Sequence, residues 1–290
     1  MQTATRPAEA RSAARRSALT VLAVALALLV AAAALAVYLN RDDQKSSGTG
    51  PEVGADLHAV FTLENRTFVS GHSGAAYSDK PGAWTQIEDL DDKDGMGWAR
   101  TTNALLVGGH GGLYRSTNGG RSFEPDPGVT EGTDIHGLGA AGQTVYLSTP
   151  GQGLYVSTDG GESFTQRGGM PALMGTVLVD PANPDQALAA DMQSGAVRTT
   201  DGGRTWQPLG GPEGAMSVAQ DPTDARVLVV VGMDAAATSR DGGASWAAFD
   251  VPAGTTAVTY TPSGILVAAV LNGERAQTYR LLSGTWTSVE

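Results

Sequence analysis

The stretch VRTTDGGRTW, Val197–Trp206, reads as the end of one strand, a glycine-tight turn and the start of another. The same phrase stands three more times, as YRSTNGGRSF (Tyr114–Phe123), YVSTDGGESF (Tyr155–Phe164) and ATSRDGGASW (Ala237–Trp246). Repetition at a fixed period is the first thing to test in a sequence, because it decides architecture. The aromatics that close the phrases, Phe123, Phe164, Trp206 and Trp246, supply a ruler. Two worn copies extend it, YSDKPGAW ending at Trp84 and YRLLSGTW ending at Trp286. The six anchors lie about 40 residues apart, the period of a four-stranded propeller blade.

Within each repeat the pattern is β. HAVFTLENRTFVSGHSGAAYS divides into three short strands separated by turn residues, and AWTQIE supplies a fourth. The expectation is an all-β, six-bladed β-propeller over residues 55–290, with no room for a second domain. Radial repetition shields the sheet edges. The order of strands places an innermost strand first and an outermost strand last, so ring closure needs no exchanged strand.

The turn chemistry is structural. A short carboxylate or amide accepts backbone N–H groups within its own turn, glycine supplies positive φ, and the aromatic fills the gap between sheets. Asn118, Asp159, Asp201 and Asp241 hold the side-chain position. One acidic residue per turn is too few for calcium.

What precedes the repeats has a different character. Arg6, Arg11, Arg15 and Arg16 lead into the uncharged run SALTVLAVALALLVAAAALAVYLN, Ser17–Asn40. This run reaches the roughly 20 residues of a membrane-spanning helix and exceeds the roughly 7–15 of a cleavable signal. It reads as an uncleaved signal anchor, with cleavage near the alanine cluster the lesser alternative. The arginines place residues 1–16 in the cytoplasm. The expected order is a basic tail (1–16), a transmembrane anchor (17–40), a Gly/Ser-rich flexible linker (41–54) and a propeller outside the cytoplasm.

Charge and composition narrow the partners. Residues 42–290 carry 14 basic and 29 acidic side chains, a net −15. That surface argues against nucleic acid or anionic lipid and suits cations. The chain has no cysteine, which removes disulfides, thiolate metal sites, a cysteine nucleophile and a lipoprotein anchor.

If the repeated turn joins the third and fourth strands, the first–second turns share its face. The starts of the first strands and the second–third turns then lie on the opposite face. His58, Met96 and His136 fall at starts of first strands, each two residues after an aspartate: Asp56, Asp94 and Asp134. Alternate residues of a strand point the same way, so each pair can meet. Met174 and Met216 take comparable places in later repeats. His72, His110, Gln193 and Met233 each stand six residues before the serine or threonine of a repeated turn. All four histidines and the six methionines after Met1 thus map to one face, with Met192 and Met170 in neighbouring loops. Thioether and imidazole without thiolate suit copper, Cu(I) above all, with zinc, nickel or iron reachable through histidine. The candidate metal set is His58, His72, Met96, His110, His136, Met174, Met216 and Met233. Asp56 and Asp134 are candidates to orient imidazoles. Each of these residues taken alone has a bland reading as packing, so the case rests on shared register.

The phrase S-T-D-G-G-E-S-F (Ser157–Phe164) and its copies resemble the Asp-box, or BNR repeat. DIHGLG, GGHGGLYRSTNGG, VSGHSG and DGMGW are similar to bacterial extracytoplasmic propellers that commonly carry the name glycosyl hydrolase or exo-alpha-sialidase. The resemblance covers nearly all of 55–290 and implies the fold more firmly than an activity. It implies a sialidase-like glycosidase as an alternative to a binding module or a protein-interaction scaffold. No Arg-Ile-Pro motif is present, the arginines cluster at the repeated turns, and Tyr260 lacks an evident glutamate partner. A different glycosidase needs only two suitably spaced carboxylates, for which Asp56, Asp94 and Asp134 are the candidates.

Overall fold

A computed structural model describes residues 50–168 and 171–289. The expected anchor, tail and most of the linker lie outside the described residues, as does Met170. No helix among the described residues is long and apolar enough to cross a membrane.

The fold is an all-β propeller of antiparallel meanders. The first comprises β1 (Leu57–Leu63), β2 (Arg66–Gly71), β3 (Gly74–Lys80) and β4 (Ala83–Gln86). The second comprises β5 (Gly97–Arg100), β6 (Leu105–Gly109), β7 (Gly112–Ser116) and β8 (Glu124–Pro125). The third runs β9 (Gly137–Ala141), β10 (Thr144–Thr149), β11 (Gly153–Ser157), β12 (Thr165–Gln166). The fourth runs β13 (Leu173–Val179), β14 (Ala187–Asp191), β15 (Gly195–Thr199), β16 (Gln207–Gly210). Then come β17 (Ala215–Gln220), β18 (Leu228–Gly232), β19 (Ala236–Ser239) and β20 (Ala247–Ala248). The last meander is β21 (Thr255–Tyr260), β22 (Leu266–Asn272), β23 (Arg275–Leu282) and β24 (Thr285–Val289).

Six separate blades are not what the structure shows. Four four-stranded sheets stand apart as blades, and β9–β16 form one eight-stranded sheet in the order β12-β11-β10-β9-β13-β14-β15-β16. The join is a short parallel pairing, Gly175 with Gly137 and Thr176 with Leu138, reinforced by Gly175 N–H donating to the His136 carbonyl at 2.8 Å. Small residues let these strands meet: a Cβ on Gly139 would lie 1.9 Å from the Val177 carbonyl oxygen.

The core is divided among the junctions between successive meanders. Ala59, Phe68, Ala75, Trp98, Leu105 and Val107 pack together, with Phe123 among them. The same arrangement recurs with Phe164, Trp206, Trp246 and Trp286 packed on the following clusters. Trp84 packs where Val60 and Val69 of the first meander meet Ala257 and Val267 of the last. The ring closes at this junction by packing and by backbone pairing of the segment before β1 with the start of β23, Val53 N–H donating to the Glu274 carbonyl and Ala276 N–H to the Pro51 carbonyl, both at 2.9 Å, and Thr256 Oγ1 donates across to the Leu57 carbonyl at 2.8 Å. Each strand is too short to bury its apolar face alone, so burial against the next meander supplies the stability.

The repeated turns behave as their residue types dictate. In Thr199–Trp206 the Thr199 hydroxyl donates to Asp201 Oδ1 at 2.9 Å and accepts Gly203 N–H at 3.0 Å. Asp201 Oδ1 also accepts Thr205 N–H at 2.9 Å. The bonds recur at Ser157/Asp159 and Ser239/Asp241. Asn118 substitutes its amide oxygen and accepts Ser122 N–H at 3.1 Å. Both glycines of every copy, from Gly119 to Gly243, have φ between 73° and 100°.

Candidate functional site: a histidine–aspartate cluster

The face opposite the repeated turns brings the histidines together. His58 is on β1, His72 and His110 occupy the β2–β3 and β6–β7 turns, and His136 directly precedes β9. Their rings form a chain, with centroids 6.4 Å apart from His58 to His72, 6.0 Å to His110 and 5.3 Å to His136. Two aspartates from the lead-ins to β5 and β9 thread this chain. His58 Nε2 lies 3.2 Å from Asp94 Oδ1, and His110 Nδ1 contacts Asp94 Oδ2. His110 Nε2 lies 3.5 Å and His136 Nε2 3.2 Å from Asp134 Oδ1.

Two groups of three result: His58, His72 and Asp94, and His110, Asp134 and His136. In each, one ligand-capable atom per residue lies within 4.8 Å of the others. Four buried atoms in these groups lack a hydrogen-bond partner among the described residues: His58 Nε2, Asp94 Oδ1, Asp134 Oδ1 and His136 Nε2. These four atoms face one another in two imidazole–carboxylate ion-pair contacts at 3.2 Å, His58 Nε2 with Asp94 Oδ1 and His136 Nε2 with Asp134 Oδ1. Imidazole and carboxylate donors thus stand at metal-ligand spacing in both groups.

Local structure fixes these positions. Gly95 N–H donates to the Gly71 carbonyl at 3.0 Å, and Ser70 Oγ donates to the Gly95 carbonyl at 2.7 Å while accepting Trp98 Nε1–H at 2.8 Å. These bonds clamp the Asp94 segment against the first meander. His110 N–H donates to Asp94 Oδ2 at 3.2 Å. A Cβ on Gly109 would stand 2.3 Å from the Asp94 carbonyl oxygen, so glycine is what admits this approach.

Electrostatics follow the geometry. Burial pushes the Asp94 carboxyl up, but His58 and His110 outweigh it and hold the group below the ordinary carboxylate value. Burial pushes His136 below the ordinary imidazole value, with the facing Asp134 pulling the other way.

The structure corrects several sequence expectations. The paired-residue rule holds for Asp134 and His136 but not for Asp56 and His58. Register slips between Leu57 and Ala59, and a bulge at a strand start breaks alternation. Asp56 is exposed and instead offers its carbonyl to His72 N–H at 3.0 Å. His58 meets Asp94 of the next meander, a cross-blade contact that spacing along one strand cannot reveal.

The methionines take other surroundings. Met96 and Met174 are buried, Met216 is half-buried, and Met233 is 69% exposed over Gly214. Imidazole and carboxylate make up both ligand groups. The arginines tie meanders together rather than converge on a ligand: Arg66, Arg115 and Arg198 donate to the turn carbonyls of Gly119, Gly160 and Gly242.

No protein-family model matches this sequence, and no curated protein does. Solved structures do resemble it. A GH74 xyloglucanase from Xanthomonas campestris superposes with a TM-score of 0.55 at 18% identity, over 82% of this chain and 45% of that one. An ancestral GH74 enzyme gives 0.54 at 18%, over 83% and 38%. The extracellular domain of a putative one-component system from B. thetaiotaomicron gives 0.54 at 12%, over 82% and 37%. The chain spans less than half the length of each. At such identities the likeness is one of fold, a β-propeller shared with glycoside hydrolases and extracellular domains.

Proposed function

We propose that this propeller is a metal-binding module. The His/Asp face holds a divalent transition-metal ion through His58, His72, Asp94, His110, Asp134 and His136. The observation that carries the reading is the gathering of four imidazoles and two carboxylates from separate meanders into two compact ligand groups. Imidazole and carboxylate donors suit Zn(II), Cu(II), Fe(II) or Ni(II). The apolar run at residues 17–40 supports display on the outer side of a membrane, and the net −15 of residues 42–290 draws cations to the surface. We read the repeated turns as Asp-boxes of the BNR type. The two halves of the eight-stranded sheet count as two fused blades in a six-fold ring, because each of the six anchor aromatics packs at its own junction.

Glycoside hydrolysis is the weaker reading. A general acid needs a raised carboxyl pKa, and that of Asp94 is lowered. His110 contacts both Asp94 and Asp134, and Asp56 stands outside both groups. The catalytic set Asp56, Asp94 and Asp134 therefore has no support from the geometry as a pair. A scaffold role fits the fold without accounting for the cluster.

The test is titration of the purified full chain with Cu(I), Cu(II) and Zn(II), alongside a variant with alanine at His58, His110 and His136. Loss of affinity by at least about 100-fold, beyond what removing an orienting partner costs, is expected for the preferred ion. Unchanged affinity in the folded variant overturns the reading.

A further inference from the structure

We infer that the histidine face is a two-ion site: one ion is held by His58, His72 and Asp94, and a second by His110, Asp134 and His136. The inference rests on the metal-binding reading above and deepens it.

Each group has the same composition, two imidazoles and one carboxylate, drawn from adjacent meanders. Three protein ligands with one open position are the pattern of zinc sites that keep a water or take up a substrate. The close imidazole–carboxylate contacts divide evenly: His58 Nε2 with Asp94 Oδ1 in the first group, His136 Nε2 with Asp134 Oδ1 in the second. A single ion would engage one group and leave a second, equally compact, set of donors without one.

Asp94 couples the halves. Its Oδ1 faces His58, while its Oδ2 accepts from His110 N–H and contacts His110 Nδ1. With Nδ1 so held, His110 turns Nε2 toward Asp134 and the second group. A carboxylate on one imidazole nitrogen fixes ring orientation and strengthens the other nitrogen as a ligand. One side of Asp94 thus ligates the first ion and the other side orients a ligand of the second. His72 and His110 are exposed, and Asp134 and His136 are half-exposed, so the open positions face solvent. Asp94 itself is buried and sits under them. The second ion would assemble on the outer side of a network that the first has already ordered.

The experiment is equilibrium titration of the full 290-residue chain with Zn(II) against a chromophoric chelator. Co(II) titration followed by absorption gives an independent readout of ligand number. Wild type is expected to take two equivalents. His72→Ala and His136→Ala, which alter solvent-facing residues of different groups, are each expected to retain one. Asp94→Ala is expected to weaken both. One equivalent in wild type overturns the two-ion inference and leaves the metal-binding reading standing; no equivalents overturns both. Loss of both equivalents in His72→Ala, with the variant's melting curve intact, also overturns the division into independent groups. Should a variant misfold, the wild-type stoichiometry decides alone.

Discussion

The two faces of the ring use the same side chain to opposite ends. On one face Asp159, Asp201 and Asp241 spend their oxygens inside their own turns, accepting from a hydroxyl and a backbone N–H. On the other face Asp94 and Asp134 turn their oxygens toward imidazoles from separate meanders. The first carboxylates are consumed in making the fold. The second are held in place by the fold and face side chains of other meanders. A repeated acidic residue therefore signals architecture where its bonds close locally, and a site where they do not.

The sharpest way to break this comparison is to truncate one carboxylate on each face. Asp94→Ala is expected to lower ion affinity by at least about 100-fold, since it removes both a ligand and an orienting group. Asp201→Ala is expected to leave affinity within about twofold, because sites with no shared partners act independently. Equal losses would show that the two faces are not functionally distinct. Competition with a chelator measures both.

Thr199→Val probes the structural face. The Thr199 hydroxyl is buried and accepts Gly203 N–H, so the change leaves a buried donor unpaired at a cost of about 1–3 kcal/mol. Denaturant unfolding reads it, with ion affinity unchanged. A loss of affinity comparable to that of Asp94→Ala would tie the two faces together.

Acid separates the faces further. Bonds from Thr205 and Ser245 hold Asp201 and Asp241 down to about 2, below the ordinary 3.8. A carboxyl depressed on folding contributes stability that is present above its unfolded pKa and is lost as pH falls through the folded one. The melting temperature is therefore expected to fall between about pH 4 and pH 2, and less steeply in the double variant Asp201→Asn, Asp241→Asn. Identical slopes would remove these carboxylates from the acid response.

The smallest effect is expected from Asn118→Asp. Asn118 already makes the turn bonds with its amide oxygen, and a carboxylate can accept the Ser122 hydroxyl that the amide now donates to. The change in unfolding free energy should stay within about 0.5 kcal/mol. A larger value would mean that amide and carboxylate are not equivalent in the turn.

Much of the fold was legible because the turn chemistry is local. VRTTDGGRTW carries its own hydrogen-bond partners, and the spacing of its aromatics counts the junctions at which they pack. The fusion of β9 with β13 was not legible, since it depends on how closely two backbones approach at Gly137 and Gly175. The shared face of the histidines was readable from register. Their partners were not. The pairing of Asp134 with His136 follows strand alternation, whereas Asp94 reaches His58 across a blade junction and a bulge frees His58 from Asp56. The methionines share the register, but strand position fixes the face and not the direction of a flexible side chain.

The central claim is that the histidine face exists to hold metal. Elemental analysis of the full chain, purified without chelators, tests it most directly when set beside a variant carrying Asp94→Ala and His136→Ala. The account expects a stoichiometric transition metal in the wild type and its loss from the folded variant. A metal-free wild type that also fails to take up Zn(II) or Cu(II) on addition would contradict it.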